Sequence, residues 1–203
     1  MGTRAFTGRT VAVTGGASGI GAAIAERFGR EGAGIALLDF DKKTLASTAK
    51  RFRDAGMEVM DVECDVTDEK KCGKAIKAVI KRFGGIDVLV NNAGITQRSL
   101  CKNTMTGVYR RVMDVNFFGS VHCTLPALES IIERKGTIVV TTSIAGIAPL
   151  YGRTGYSASK HALHGFFESL RTEIAESGAH VVMLCPGFTV TNLQSRALDG
   201  KGG

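Results

Sequence analysis

No stretch of the 203 residues approaches the roughly 20 consecutive apolar residues that a membrane span requires. The opening segment, Met1 to Arg9, has no apolar run of the kind a secretory signal carries. These absences predict a cytoplasmic protein that makes no use of a membrane. There is no CxxC pair. The five cysteines, Cys64, Cys72, Cys101, Cys123 and Cys185, are odd in number and widely spaced. That pattern argues against a disulfide framework and against a structural zinc site, and predicts reduced, mostly buried thiols. Repeats, low-complexity segments and linkers are missing too, so residues 1–203 read as a single domain, long enough for a sizeable core.

The formal net charge of +7 would suit a nucleic-acid partner, but the basic residues are scattered. The densest group, Lys70 to Arg82, is interleaved with Ile76, Val79, Ile80 and Phe83. That is the spacing of an amphipathic helix with a solvated basic face, and no nucleic acid is expected. His161 and His164 stand three apart on a predicted helix, with no carboxylate or cysteine to complete a metal site, so no metal is expected.

What is present is an alternation of short apolar runs with helical patterns. The runs are Thr10 to Thr14, Gly34 to Asp39, Glu58 to Val62, Val88 to Val90, Gly136 to Thr141 and Ala179 to Leu184. Between them, helices are predicted over Ile20 to Glu31, Lys42 to Ala55 (stopped by Gly56), Asp68 to Phe83 (with Thr67 as its cap) and Thr154 to Glu176. Asn103 to Arg134 reads as one long helix or a broken one. Continuous apolar strands alternating with helices predict an α/β fold with a doubly wound parallel sheet covered on both faces. Ligands bind such a sheet beyond the carboxyl ends of its strands.

Thr14 to Gly21 lies at such an end. It is glycine-rich at Gly15, Gly19 and Gly21, with Ser18 and Ile20 between, and it opens a helix. Glycine permits the backbone conformations and close approach that a phosphate-binding turn needs, and a helix N-terminus favours an anion. Asp39 ends the second strand, 24 positions after Gly15, close to where an acidic residue is expected to take the ribose hydroxyls of a dinucleotide. A carboxylate there would repel a 2′-phosphate. No Arg or Lys occurs in Gly15 to Gly21 or between Asp39 and Lys42, so NAD is expected over NADP. Asp65 and Val66 follow the third strand, where they would meet the adenine. A turn or cap role for Asp65 fits equally well.

Tyr156 and Lys160 stand at i and i+4 on a predicted helix and share one face. An ammonium near a phenol favours the phenolate and lowers its pKa, which suits acid–base work on an alcohol or carbonyl. Asn91 to Gly94 ends the fourth strand, Ser143 follows the fifth, and Pro186-Gly187 follows the sixth.

In this order and with these neighbours, the chain resembles the short-chain dehydrogenase/reductase family. The resemblance rests on Thr14 to Gly21, Asp39, Asp65, Asn91 to Gly94, Asn116, Ser143, Tyr156, Lys160 and Pro186-Gly187. It implies a Rossmann fold and an NAD-dependent oxidoreductase acting on a small-molecule secondary alcohol or ketone. Tyr156 would exchange a proton with the substrate oxygen and Ser143 would polarise it. Lys160 would hold the nicotinamide ribose and lower the pKa of Tyr156. Asn116 would hold a helix irregularity and a relay water. Asn92, Ala93 and Gly94 would border the cofactor. Gly187 and Thr189 would flank the nicotinamide, Pro186 would also lie at the cofactor, and Thr191 would contact the carboxamide or phosphates.

Family members usually continue with a lid helix, a further helix and a seventh strand. About six strands are therefore expected here, with the seventh missing from a chain that is truncated or only partly included. A homodimer through the two long helices is implied, with a tetramer if the C-terminal region exists. Ile144, Ile147, Leu150 and Tyr151 would give the substrate a mostly apolar wall, suiting a lipophilic substrate. A catalytically weak dinucleotide-binding sensor or scaffold is the second reading.

Overall fold

In the computed structural model, residues 5–189, 191, 193 and 196–203 are described. Six strands, β1 (Thr10–Thr14), β2 (Gly34–Asp39), β3 (Val59–Glu63), β4 (Val88–Asn91), β5 (Thr137–Thr141) and β6 (His180–Leu184), form one sheet in the order β3-β2-β1-β4-β5-β6. Every neighbouring pair is parallel. The helices are α1 (Gly19–Arg30), α2 (Lys42–Asp54), α3 (Glu69–Phe83), α4 (Thr106–Met113), α5 (Gly119–Glu133) and α6 (Thr154–Glu173). The strand order reverses between β1 and β4, which opens a crevice at their carboxyl ends.

Parallel strands covered on both faces need apolar residues at successive positions, and β1 and β2 are buried throughout. Successive side chains point to opposite faces. Val11, Val13, Ile35 and Leu37 pack with Leu45 and Phe52 of α2 and Ala25 of α1. Ala12, Ala36, Leu38, Leu89 and Ile138 pack on the other side, against Ile76 of α3, Ile131 of α5 and Phe167 of α6. At the far edge the cover is thinner: Val181 of β6 is buried, whereas Val182 and Leu184 are exposed. Among the described residues, no helix is long and apolar enough to cross a membrane.

The structure decides one reading that the sequence leaves open and revises another. Of the two forms open to Asn103 to Arg134, the broken one is found, with a π-helical turn, Asp114–Phe118, joining α4 to α5. Thr67 does not cap α3; Asp68 does, accepting the Lys71 N–H at 3.0 Å. Beyond β6, Leu198 pairs with Gln97 in a parallel bridge and is buried beside Val108 and Val112. All five cysteines are free thiols, with Cys64, Cys72 and Cys123 buried, Cys101 exposed and Cys185 between.

Candidate active site

The loop after β1 is tied to the end of β4 across the switch point. The Thr14 hydroxyl accepts the N–H groups of Asn92 and Ala93 at 3.0 and 3.1 Å. The Asn92 amide donates to the carbonyls of Thr14 and Gly15 at 3.1 and 3.3 Å. Gly15 has a φ of +60°, and a Cβ there would stand 2.9 Å from the Ala93 Cα. Gly21 is glycine for a different reason. A Cβ there would lie 2.3 Å from the Gly15 carbonyl oxygen, so its absence lets α1 seat directly on the loop. Ser18 caps α1 in an extended conformation without spending its hydroxyl on the helix, leaving that hydroxyl and the first-turn N–H groups for an anion.

Asp39 is buried at the end of β2. One carboxylate oxygen accepts the Ala17 N–H at 3.1 Å and the other the Asp41 N–H at 3.1 Å. These bonds fix its orientation and leave lone pairs for further donors. Asp65 takes the turn role that the sequence leaves open, accepting from the Thr67 N–H at 3.0 Å and hydroxyl at 2.8 Å. The Val66 carbonyl lies 2.9 Å from Nδ1 of His122.

At the other end, the first turn of α6 carries Tyr156 and the second carries Lys160, both buried. The Lys160 Nζ lies 5.7 Å from the centre of the Tyr156 ring and donates to the Thr141 carbonyl at 2.8 Å. Burial drives its pKa from the ordinary 10.5 down to about 8. Burial also dominates at Tyr156 and holds its phenol above the ordinary value, with the Ser143 hydroxyl and the Arg153 charge pulling it back. Spacing alone has the lysine lowering the tyrosine pKa; in the folded chain desolvation of the phenol outweighs its neighbours. Ser143 itself caps a short turn, accepting the Ala145 N–H at 3.2 Å.

Asn116 lies fully buried in the π-helical turn. Its side chain accepts the Ile95 N–H at 2.8 Å and donates to the Ile95 carbonyl at 3.0 Å and the Ser159 hydroxyl at 2.9 Å. Ser159 in turn donates to the Tyr156 carbonyl at 2.8 Å. Asn116 thus braces the turn of α6 that carries the tyrosine.

One cavity of about 770 Å³ joins the two ends. It is lined by Gly15, Ser18, Gly19, Ile20, Asp39, Asp65 and Val66 towards the first half of the sheet. Asn92, Ala93 and Gly94 line its middle, with Ser143, Tyr156, Lys160, Pro186, Gly187, Thr189 and Thr191 towards the second. Gly21 and Asn116 stand behind this surface, as packing and bracing residues. The expected apolar wall is half right: Ile144 and Leu150 line the cavity, whereas Ile147 and Tyr151 are exposed outside it. Phe188, Arg110, Arg111, Arg153 and Arg196 also line it. None of them is marked in the sequence: Arg110 and Arg111 lie on α4, Arg153 stands at the start of α6, and Phe188 and Arg196 follow β6, and only the tertiary fold brings these elements to one cavity.

The chain is similar to known proteins in both sequence and fold. The pattern that defines the short chain dehydrogenase family matches residues 9–201. Dehydrogenase/reductase SDR family member 7 of Homo sapiens is 40% identical over 202 residues, which cover 97% of this chain and 60% of that protein. The 11-beta-hydroxysteroid dehydrogenase-like 2 protein of Arabidopsis thaliana is 38% identical, with 92% of this chain and 61% of that one covered. The chain thus spans about 60% of the length of these relatives. Among solved structures, a short chain dehydrogenase/reductase from Burkholderia phymatum in complex with NAD superposes with a TM-score of 0.89 at 30% identity, covering 96% of this chain and 70% of that one. A dehydrogenase/reductase from Sinorhizobium meliloti 1021 gives 0.89 at 32% identity, covering 94% and 76%.

Proposed function

The chain belongs to the short-chain dehydrogenase/reductase family, and on that premise we propose that it transfers a hydride between NAD(H) and a secondary alcohol or ketone, with Tyr156 exchanging the proton. The observation that carries this reading is a single cavity with a glycine-rich helix N-terminus and Asp39 at one end and Ser143, Tyr156 and Lys160 at the other. The residues fit a dinucleotide. The uncommitted Ser18 hydroxyl and the N-terminus of α1 suit the pyrophosphate, Asp39 suits the adenosine ribose, and Lys160 suits the nicotinamide ribose. The related structure from Burkholderia phymatum was solved with NAD. Arg196 favours NADP. Asp41 is held below the ordinary carboxylate range first by the Thr44 hydroxyl and amide and in smaller part by Arg196, so a cation reaches this corner. Asp39 lines the same cavity and would repel a 2′-phosphate, which keeps NAD as the preferred cofactor.

The nicotinamide, when bound, supplies or accepts the hydride. The protein's part is position and proton transfer. Ser143 donates to the substrate oxygen and polarises it. The Tyr156 phenol, held protonated by burial, gives its proton to that oxygen when a carbonyl is reduced and takes it back when an alcohol is oxidised. Oxidation is therefore expected to speed up as pH rises through the tyrosine ionisation, and reduction to slow. Ile144, Leu150 and Phe188 suit a lipophilic substrate, a class to which the name of the Arabidopsis relative also points. We further propose a cytoplasmic homodimer through α5, whose surface exposes Leu125, with Phe118 exposed just ahead of it; a monomer in sedimentation would remove the dimer.

The test is a panel of alicyclic and steroidal secondary alcohols with NAD, read by NADH absorbance. Tyr156→Phe is expected to cut turnover about 10³-fold while leaving NADH affinity within about twofold. Retained activity overturns the role of Tyr156. Tight NADH binding with no turnover on any alcohol overturns the enzyme reading in favour of a sensor.

A further inference from the structure

Tyr156 is the third residue of α6, and a helix leaves its first N–H groups without intrahelical acceptors. Those groups are usually capped by a Ser, Thr, Asp or Asn side chain. Here the cap position is Arg153, whose side chain makes no capping bond. The Tyr156 N–H instead donates to Oε1 of Gln97 at 2.9 Å, across the fold. Gln97 is fully buried. The segment around Gln97 is braced on the far side, where the Arg98 N–H donates to the Leu198 carbonyl at 2.8 Å and the Leu198 N–H to the Thr96 carbonyl at 2.9 Å. Arg153 closes the circuit. Its guanidinium donates to the Thr96 hydroxyl at 2.6 Å and the Gln97 carbonyl at 3.2 Å.

We propose that Arg153 is a positioning residue for the proton transfer: with Gln97 it clamps the first turn of α6, and its charge stabilises the Tyr156 phenolate. Arg153 is buried and lines the cavity together with the tyrosine. Lys160 is a weaker source of positive charge for this purpose. Its ammonium is committed to the Thr141 carbonyl and burial brings its pKa to about 8, whereas an arginine holds its charge well past that pH. The other charged and titratable groups around the phenol come from several elements. Arg153 is itself pulled below its ordinary value, first by burial and then by the charge of Arg98, ahead of α4. Arg110, Arg111, Asp114 and Arg196 line the same cavity. The Tyr109 hydroxyl lies 3.2 Å from that of Thr154.

The inference rests on the proposed role of Tyr156, and its test reads the phenol without any substrate. Failure here is therefore separable from failure of that role, which shows in the turnover of Tyr156→Phe. The chain has three tyrosines and no tryptophan, so Tyr109→Phe with Tyr151→Phe leaves one phenolate to follow by near-ultraviolet absorbance. In that background, Arg153→Gln, which keeps hydrogen-bond donors without charge, is expected to raise the ionisation midpoint by about one pH unit. Arg153→Leu, which buries no polar group, is the second neutral variant and is expected to do the same. Arg153→Lys is expected to stay near the parent midpoint. A folded neutral variant, of either kind, that ionises at the parent midpoint overturns the proposal. So does Arg153→Lys shifting as far as the neutral variants.

Discussion

At the nucleotide end of the cavity, the structure is made mostly by main chain and short side chains at strand ends. Thr14 and Asn92 tie two loops together through backbone N–H and carbonyl groups, Gly21 allows contact by having no side chain, and Asp39 is held by two amides within its own corner. At the catalytic end, the working groups are long side chains, buried, and held from other parts of the chain. Lys160 reaches to β5, Tyr156 is fixed by Gln97, and Asn116 reaches Ile95 and Ser159. The first kind of site tolerates little change in volume. The second tolerates little change in charge, because an ionisable group in a desolvated setting has its protonation set by its neighbours.

The largest effect that would separate the two ends is expected from Gly21→Ala. The new Cβ would press on the Gly15 carbonyl oxygen and the Asn92 amide. Overpacking of this kind costs about 1–3 kcal/mol, and when it displaces the phosphate-binding loop it weakens NADH binding by about 10- to 100-fold. The ionisation of Tyr156, followed by absorbance, should not move. An NADH affinity within threefold of the parent would show that the loop yields, and would break the distinction between volume and charge.

A smaller effect is expected from Asp39→Ala. Removing the carboxylate deletes an acceptor for the ribose hydroxyls and the repulsion towards a 2′-phosphate, and Arg196 already reaches this corner. A hydrogen bond to a charged group is worth about 1.5–3 kcal/mol, so the preference for NAD over NADP should narrow by about tenfold. The ratio of the two affinities, measured side by side, checks it. An unchanged ratio would mean that the discrimination lies elsewhere in the cavity.

The two ends also differ in how far the sequence exposes them. Strands buried on both faces announce themselves as compact apolar runs, so β1 and β2 are legible to the residue. The glycine-rich turn and Asp39 are legible for the same reason: the loop's demands are local. Tyr156 and Lys160 are legible as a pair because i and i+4 fixes proximity on a helix, but spacing says nothing of burial, and burial reverses the expected direction at the phenol. Gln97 and Arg153 carry no local signal, since each acts on a partner remote in sequence or on a backbone group. The π-helical turn at Asn116 has the composition of an ordinary helix, and only the family resemblance marks it. Thr67 and Asp68 are adjacent capping residues of similar preference, and the choice between them is made by the turn that Asp65 forms with Thr67.

The smallest expected effect bears most directly on the catalytic end, because it asks whether that end is kept for function at the expense of stability. Lys160 is buried with its pKa lowered from 10.5 to about 8. In the unfolded chain the same group keeps its proton up to about 10.5. Between these limits the unfolded state binds more protons than the folded one, so stability rises with pH across that window. Below pH 8 the full cost of burying the ammonium is present, partly offset by its bond to the Thr141 carbonyl. Lys160→Met fills similar space without a charge and is expected to gain about 1 kcal/mol near pH 7, which corresponds to about 2–4 °C in Tm for a domain of this size. Turnover should be lost. The advantage over the parent should shrink as pH rises from about 8 towards 10.5, because the parent's lysine is then neutral when folded. Thermal melts of the two proteins across that range check the expectation. A variant less stable than the parent at pH 7 would show that the Thr141 bond outweighs desolvation, and that the buried cation holds the second half of the site together instead of straining it.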